Sequence, residues 1–170
     1  QEVLWSYSIK SNNSSKQTII GGGLSYDLAG NLYVTTSLGE IFSFKIKSGT
    51  LNWRYKIDAP IMDAPTVVDN TIFVTDVSNV SRSISSAGNL NWLVRGIPHN
   101  QIRTTTGQPV PADDLLLLPS SSGILSVVNK ETGSEQWNFK FNNKRTGFSQ
   151  NTFGLFNGYP IVFEDKIYFG

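Results

Sequence analysis

Apolar positions along the chain fall in short runs rich in β-branched and aromatic residues, each closed by a cluster of glycine, asparagine, aspartate or serine. Runs of this kind read as strands, and no stretch shows helical periodicity of useful length. The pattern predicts a first group of strands at Leu24 to Tyr26, Leu32 to Thr36, Ile41 to Ile46 and Leu51 to Ile57, separated by Ala29-Gly30-Asn31, Leu38-Gly39 and Ser48-Gly49. A second group is predicted at Thr66 to Val68, Thr71 to Thr75, Val80 to Ile84 and Leu90 to Val94. A third follows near Gln108 to Val110, then Leu115 to Leu118, Ile124 to Val128 and Glu135 to Phe141, and a further unit starts at Tyr159 to Phe169.

The groups repeat in register. Trp5, Trp53, Trp92 and Trp137 stand 48, 39 and 45 residues apart. The last three each follow a glycine by four residues, Gly49, Gly88 and Gly133, and ten residues before that glycine comes another small residue: Gly39, Ser78 and Gly123. Asp69-Asn70, Gly30-Asn31 and Asp113-Asp114 punctuate the first turn of each unit, where tight antiparallel connections call for positive φ. Four short strands per unit of about 44 residues is the signature of a β-propeller, with one tryptophan per blade packing between neighbouring sheets. A single β-sandwich would show similar turn spacing, but the Gly-to-Trp interval matched three times argues against it.

The expected fold is therefore all-β, a partial propeller of about 3.5 to 4 four-stranded blades in one domain over residues 1–170. Its repeat units run approximately over 21–58, 59–97, 98–142 and, incompletely, 150–170. The structural residues are Trp5, Trp53, Trp92, Trp137, Gly49, Gly88 and Gly133.

Composition narrows the chemistry. A chain of 170 residues can bury a real core, and no apolar run approaches the roughly 20 residues of a spanning helix. There is no cysteine, which removes disulfide scaffolds, thiol nucleophiles and zinc clusters together. A net charge of +1 with no basic block argues against nucleic acid as a ligand. His99 is the sole histidine and has no G-x-S-x-G elbow to serve, so it reads as a loop residue. The adjacent Asp113 and Asp114 read as a polar turn, since neighbouring side chains on a strand point to opposite faces. Gly21-Gly22-Gly23 lacks a Walker lysine and reads as a flexible entry to a strand. Gln1-Glu2-Val3-Leu4-Trp5 does not have the order of a secretory leader, and Lys166 to Gly170 reads as a strand in mid-run. Both natural ends are expected to lie outside this chain.

Ser37-Leu38-Gly39-Glu40-Ile41-Phe42-Ser43-Phe44 followed by Ser48-Gly49-Thr50-Leu51-Asn52-Trp53 resembles the pyrroloquinoline-quinone-type propeller repeat. Gly21 to Asp27, Asp58-Ala59-Pro60 with Ala64-Pro65-Thr66-Val67, and Ser121 to Leu125 resemble the BamB family, a component of the outer-membrane β-barrel assembly machinery, in its alphaproteobacterial form. The likeness runs from about Trp5 to Gly170. It departs from the repeat at Lys45, Ser85 and Asn129, where many repeats carry aspartate. The resemblance implies an eight-bladed ring roughly twice this length, a non-catalytic protein-binding role without cofactor or metal, the periplasmic face of the outer membrane, and a lipidated cysteine upstream of Gln1. A half-ring would expose blade faces and edges, so self-association into a complete ring or domain swapping is expected, with four-bladed closure as the competing geometry.

The loop from Ile97 to Gly107 is the longest polar interruption between interior strands, and its Ile102-Arg103 pair combines an apolar side chain with a multidentate cation. In the family this loop presents leucine and arginine to the barrel-inserting subunit; Ile102 and Arg103 match, while Asn100 replaces a second leucine. The next inter-blade loop of the family offers two acidic residues, whose positions are taken here by Leu155 and Asn157. The partner-binding set is thus Ile102, Arg103 and Asn157, the other reading of Arg103 being a solvated cation. The alternatives are a fragment of a quinoprotein dehydrogenase, which would bring a calcium site and the quinone, or a sugar- or peptide-binding propeller.

Overall fold

A computed structural model describes residues 3–9, 22–96, 107–120, 122–140, 160–164 and 166–168. The first sheet contains β1 (Leu24–Tyr26), β2 (Asn31–Thr35), β3 (Glu40–Lys45) and β4 (Leu51–Lys56). The second contains β5 (Thr66–Val68), β6 (Thr71–Thr75), β7 (Val80–Ser85) and β8 (Leu90–Arg95). The third contains β9 (Val110–Ala112), β10 (Leu115–Pro119), β11 (Ile124–Asn129) and β12 (Glu135–Lys140), and a hairpin of β13 (Ile161–Phe163) and β14 (Lys166–Tyr168) follows. Each four-stranded sheet is an antiparallel meander in sequence order, and no strand of one sheet pairs with a strand of another. These are blades of a partial PQQ-like propeller, not the two facing sheets of a sandwich.

The turns repeat more closely than the sequence marks do. Between the second and third strands, Gly39 (φ 73°), Asn79 (φ 59°) and Gly123 (φ 77°) each donate their amide to the carbonyl three residues back, at 3.0, 2.9 and 3.0 Å. Asn79, not Ser78, is thus the counterpart of Gly39 and Gly123. The next turn explains the offset. Gly49 and Gly133 donate to carbonyls four residues back, Lys45 and Asn129, whereas Gly88 donates to Ser85, three back. Blade 2 is one residue shorter there, which moves the ten-residue count onto Ser78. The first turns differ as well. Blade 2 turns on Asp69 and Asn70, both at positive φ, and blade 3 on Asp113-Asp114 with Asp113 at φ 50°. Blade 1 uses the longer turn Asp27 to Gly30, and Asn31 already belongs to β2.

Gly22 and Gly23 are present for close approach rather than flexibility. A Cβ on Gly22 would lie 2.3 Å from Thr35 Oγ1, and one on Gly23 would lie 2.5 Å from the Ala64 Cβ. Thr35 clamps the place by accepting from the Gly23 amide at 3.0 Å and donating its hydroxyl to Asp63 O at 2.7 Å.

The core lies between blades. Tyr33, Ile41, Ile57, Ile61, Ile72, Val74 and Ile84 fill the seam of blades 1 and 2. Phe73, Trp92, Leu116, Leu118 and Val128 fill the seam of blades 2 and 3. Leu117, Leu125 and Val127 of blade 3 meet Val162 and Ile167 of the hairpin, and on the far side Trp5 and Ile9 cover Val34, Phe42 and Phe44 of blade 1. Alternate side chains of β2, β3, β6, β10 and β11 thus serve two different seams, so each blade is held by its neighbours.

Candidate functional site

Two hydrogen-bonded latches occur together at the seam of blades 1 and 2 and again at the seam of blades 2 and 3. At the outer rim a tryptophan reaches forward into the following blade and lies on that blade's turn glycine. The Trp5 Nε1–H donates to Ile46 O at 2.7 Å, that of Trp53 to Ser86 O at 2.8 Å and that of Trp92 to Lys130 O at 3.0 Å. A Cβ on Gly49, Gly88 or Gly133 would lie 2.5, 2.9 or 2.8 Å from the indole above it. Glycine is required there twice, for positive φ (68°, 88°, 72°) and for the space the ring occupies. The glycine and the tryptophan four residues later therefore serve different seams: the glycine receives the previous blade's indole and the tryptophan is delivered to the next. Trp137 lies on the face away from blade 2, where it is 43% exposed beside Phe139.

Nearer the centre, the Ser25 hydroxyl donates to Pro65 O and that of Thr66 to Pro109 O, both at 2.5 Å. Ser25 and Thr66 occupy equivalent register positions, opposite Tyr33 and Phe73, and Val110 opposite Leu117 is the third of the series. Blade 3 thus has no hydroxyl at that point.

Three buried acidic groups have local partners. The Asp27 carboxylate accepts from the Asn31 amide at 2.8 Å, from Asn31 Nδ2 at 2.7 Å and from the Tyr33 hydroxyl at 2.8 Å. Burial pushes this carboxyl up, but the hydrogen bonds from Asn31, Tyr33 and the Ala29 backbone together outweigh it and hold the group below its ordinary value of 3.8. Burial, and then the Asp27 hydrogen bond and charge, raise the Tyr33 phenol well above its usual range. Asp76, with its side chain 1% exposed, pairs with Arg82 at 2.6 Å and accepts from the Ser78 amide at 2.8 Å. Glu40 is buried beneath Arg54 and Lys56. Sequence reasoning missed all three; the available signal was a carboxylate or its cation inside or at the edge of a strand run, as at Arg82 between Ser81 and Ser83.

A cleft of about 140 Å³ opens between blades 2 and 3, lined by Val68, Asp69, Thr71, Phe73, Ser83, Asn91, Lys130 and Glu131. Lys130 donates to Asp69 at 2.9 Å, and this hydrogen bond raises the ammonium's pKa. Among the described residues no group of three or more His, Asp or Glu side chains is placed to hold a metal ion. No helix among them is long and apolar enough to cross a membrane. Asp113 and Asp114 sit in an exposed turn. His99, Asn100, Ile102, Arg103, Leu155 and Asn157 lie outside the described residues.

Comparison with known proteins agrees with this architecture. The family model for outer membrane protein assembly factor BamB matches residues 2–170. The protein of that name from Moranella endobia (strain PCIT) is 26% identical over 120 residues, which is 69% of this chain and 30% of that protein. The chain thus spans about a third of the length of the curated relative it matches. The crystal structure of BamB from Moraxella catarrhalis superposes with a TM-score of 0.70 at 16% identity, covering 86% of this chain and 42% of that one. A europium-containing methanol dehydrogenase superposes with a TM-score of 0.53 at 19% identity, covering 69% of this chain and 31% of that one. At these identities the solved structures share the fold.

Proposed function

Since the chain belongs to the family of outer membrane protein assembly factor BamB, we propose that it acts as a non-catalytic, protein-binding scaffold in outer-membrane β-barrel assembly, in the alphaproteobacterial form of that family. The family match over nearly the whole chain carries the proposal. The seams support it: indole and hydroxyl latches lock the described blades together into a rigid framework, as a scaffold requires. The partner is the barrel-inserting subunit, met by Ile102 and Arg103 in one loop and by Asn157 in the next. The working place is the periplasmic face of the outer membrane, reached through a lipid anchor upstream of Gln1. A chain that stands alone would self-associate through the face carrying Trp137, and a monodisperse monomer in light scattering would discard that part.

The test of the main reading is calorimetric titration with the periplasmic domains of the cognate barrel-inserting subunit. Saturable binding is expected, with Arg103→Glu abolishing it or weakening it strongly; unchanged affinity would reject the assigned surface. The fold shared with a methanol dehydrogenase keeps a quinoprotein reading as the second candidate. Saturable reconstitution on titration with quinone and calcium would put that reading first.

A further inference from the structure

Each described blade ends its outermost strand on a cation: Lys56 in β4, Arg95 in β8 and Lys140 in β12. The positions are equivalent in register, because each pairs with the first residue of the strand before it, Lys56 with Glu40, Arg95 with Val80 and Lys140 with Ile124. All three residues are exposed. In blade 1 the single carboxylate of Glu40 is shared by Arg54 and by Lys56, whose Nζ is 4.0 Å away, which leaves one positive charge over. In blade 2 the neighbour of Arg95 is aliphatic, and the other arginine, Arg82, is engaged by Asp76. In blade 3 Lys140 stands opposite Ile124. An exposed cation therefore recurs at the same corner of each described blade, with Asp58 near it in blade 1, in a chain whose total charge is only +1. A lysine or arginine anywhere along an outer strand would protect its edge from aggregation; that role does not require the same position three times.

The spacing points to what the row fits. Packed sheets stand about 10 Å apart, so neighbouring cations are separated by at least that much, which is about one Debye length in physiological salt. A single phosphate cannot bridge that gap. An extended polypeptide rises about 3.3 Å per residue and needs at least about three residues to cross it. Asp58, exposed two residues beyond Lys56, would be repelled by a uniformly anionic surface such as a membrane but can be avoided by a segment with discrete carboxylates. We propose that this rim binds an extended acidic segment of a partner protein, each blade's cation taking one carboxylate three or more residues from the next. The proposal uses other residues than Ile102, Arg103 and Asn157 and does not depend on the assembly role.

The experiment is fluorescence anisotropy of the full chain with a labelled 15-residue peptide of five Glu-Gly-Ser repeats. Salt-sensitive binding is expected, with Arg95→Glu and Lys140→Glu each lowering affinity about three- to tenfold and the double variant lowering it by roughly the product. Lys47→Glu, another exposed cation, in the turn before β4, should leave affinity unchanged. The proposal fails if the peptide does not bind or if Lys47→Glu weakens binding as much as the rim variants. It also fails if a peptide with its five glutamates in one block binds as well. Phosphatidylglycerol vesicles that bind through Arg95 and Lys140 while the peptide does not would replace the partner class with a membrane. An unchanged Arg103→Glu titration leaves this result standing, and the reverse also holds.

Discussion

Alanine at Gly133 separates the two demands placed on the turn glycines. Its φ of 72° costs an L-residue about 1–2 kcal/mol. The new Cβ would lie 2.8 Å from Trp92 Cδ2, well inside the ~3.5 Å of a comfortable carbon contact, and displacing the ring adds about 1–3 kcal/mol. Gly133→Ala should therefore destabilise the chain by about 2–5 kcal/mol. Gly30 supplies the control, because at φ 80° nothing lies within 4 Å of its would-be Cβ. Gly30→Ala should cost only the backbone term of about 1–2 kcal/mol. In a Trp92→Ala background, which itself costs about 3–5 kcal/mol, Gly133→Ala should fall to the Gly30 value, giving a coupling of about 1–3 kcal/mol. Urea unfolding followed by far-ultraviolet circular dichroism at low temperature measures all four variants without relying on the tryptophan signal. Equal costs for Gly133→Ala and Gly30→Ala, unaltered by Trp92→Ala, would refute the latch and leave the glycines with a purely conformational role.

The other expectations concern polar contacts. Asp27 has its pKa depressed in the fold, so its contribution to stability is present above the ordinary value of 3.8 and is lost as pH falls through the lower folded value. Asp27→Asn should cost about 1–3 kcal/mol at pH 7, since an amide accepts through one oxygen only, and should remove part of the acid-induced fall in Tm measured as pH drops below about 4. Thr66→Val should cost about 1–3 kcal/mol in urea unfolding by leaving Pro109 O without its donor, whereas Val110→Thr, at the register position that has no hydroxyl, should not show that loss. Arg82→Met should cost about 3–5 kcal/mol by stranding the Asp76 charge, and adding Asp76→Asn should recover part of it; a double variant no more stable than the single one would argue against the ion pair as the cause.

The strand runs are legible because a strand needs little beyond β-branched or aromatic residues and a breaker at each end, and all twelve strands of the three blades match the runs with ends shifted by a residue or two. Legibility fails where a position's role depends on a neighbour distant in sequence. Ser78 reads as a third small mark because the count runs across a turn one residue shorter in blade 2; hydrogen bonding gives that role to Asn79. Gly22 and Gly23 read as flexible because nothing nearby in sequence crowds them, while the crowding comes from Thr35 and from Ala64 of the next connector. The pairings of buried Asp76 with Arg82 and of buried Glu40 with Arg54 are invisible for the same reason: exposed and buried charges are spelled alike.

By itself the sequence determined the period, the four-stranded unit, the propeller class and the likeness to the BamB family, because each is written in residue types and intervals along one chain. The direction of the tryptophans came only from the tertiary structure. Gly88 and Trp92 are four residues apart in one blade, yet Gly88 receives Trp53 from the blade before and Trp92 goes to Gly133 in the blade after. The same holds for the row of Lys56, Arg95 and Lys140, whose equivalence rests on cross-strand register. Intervals along a chain record what repeats, but contacts between blades form across some 40 residues, and only packing decides which repeated element meets which.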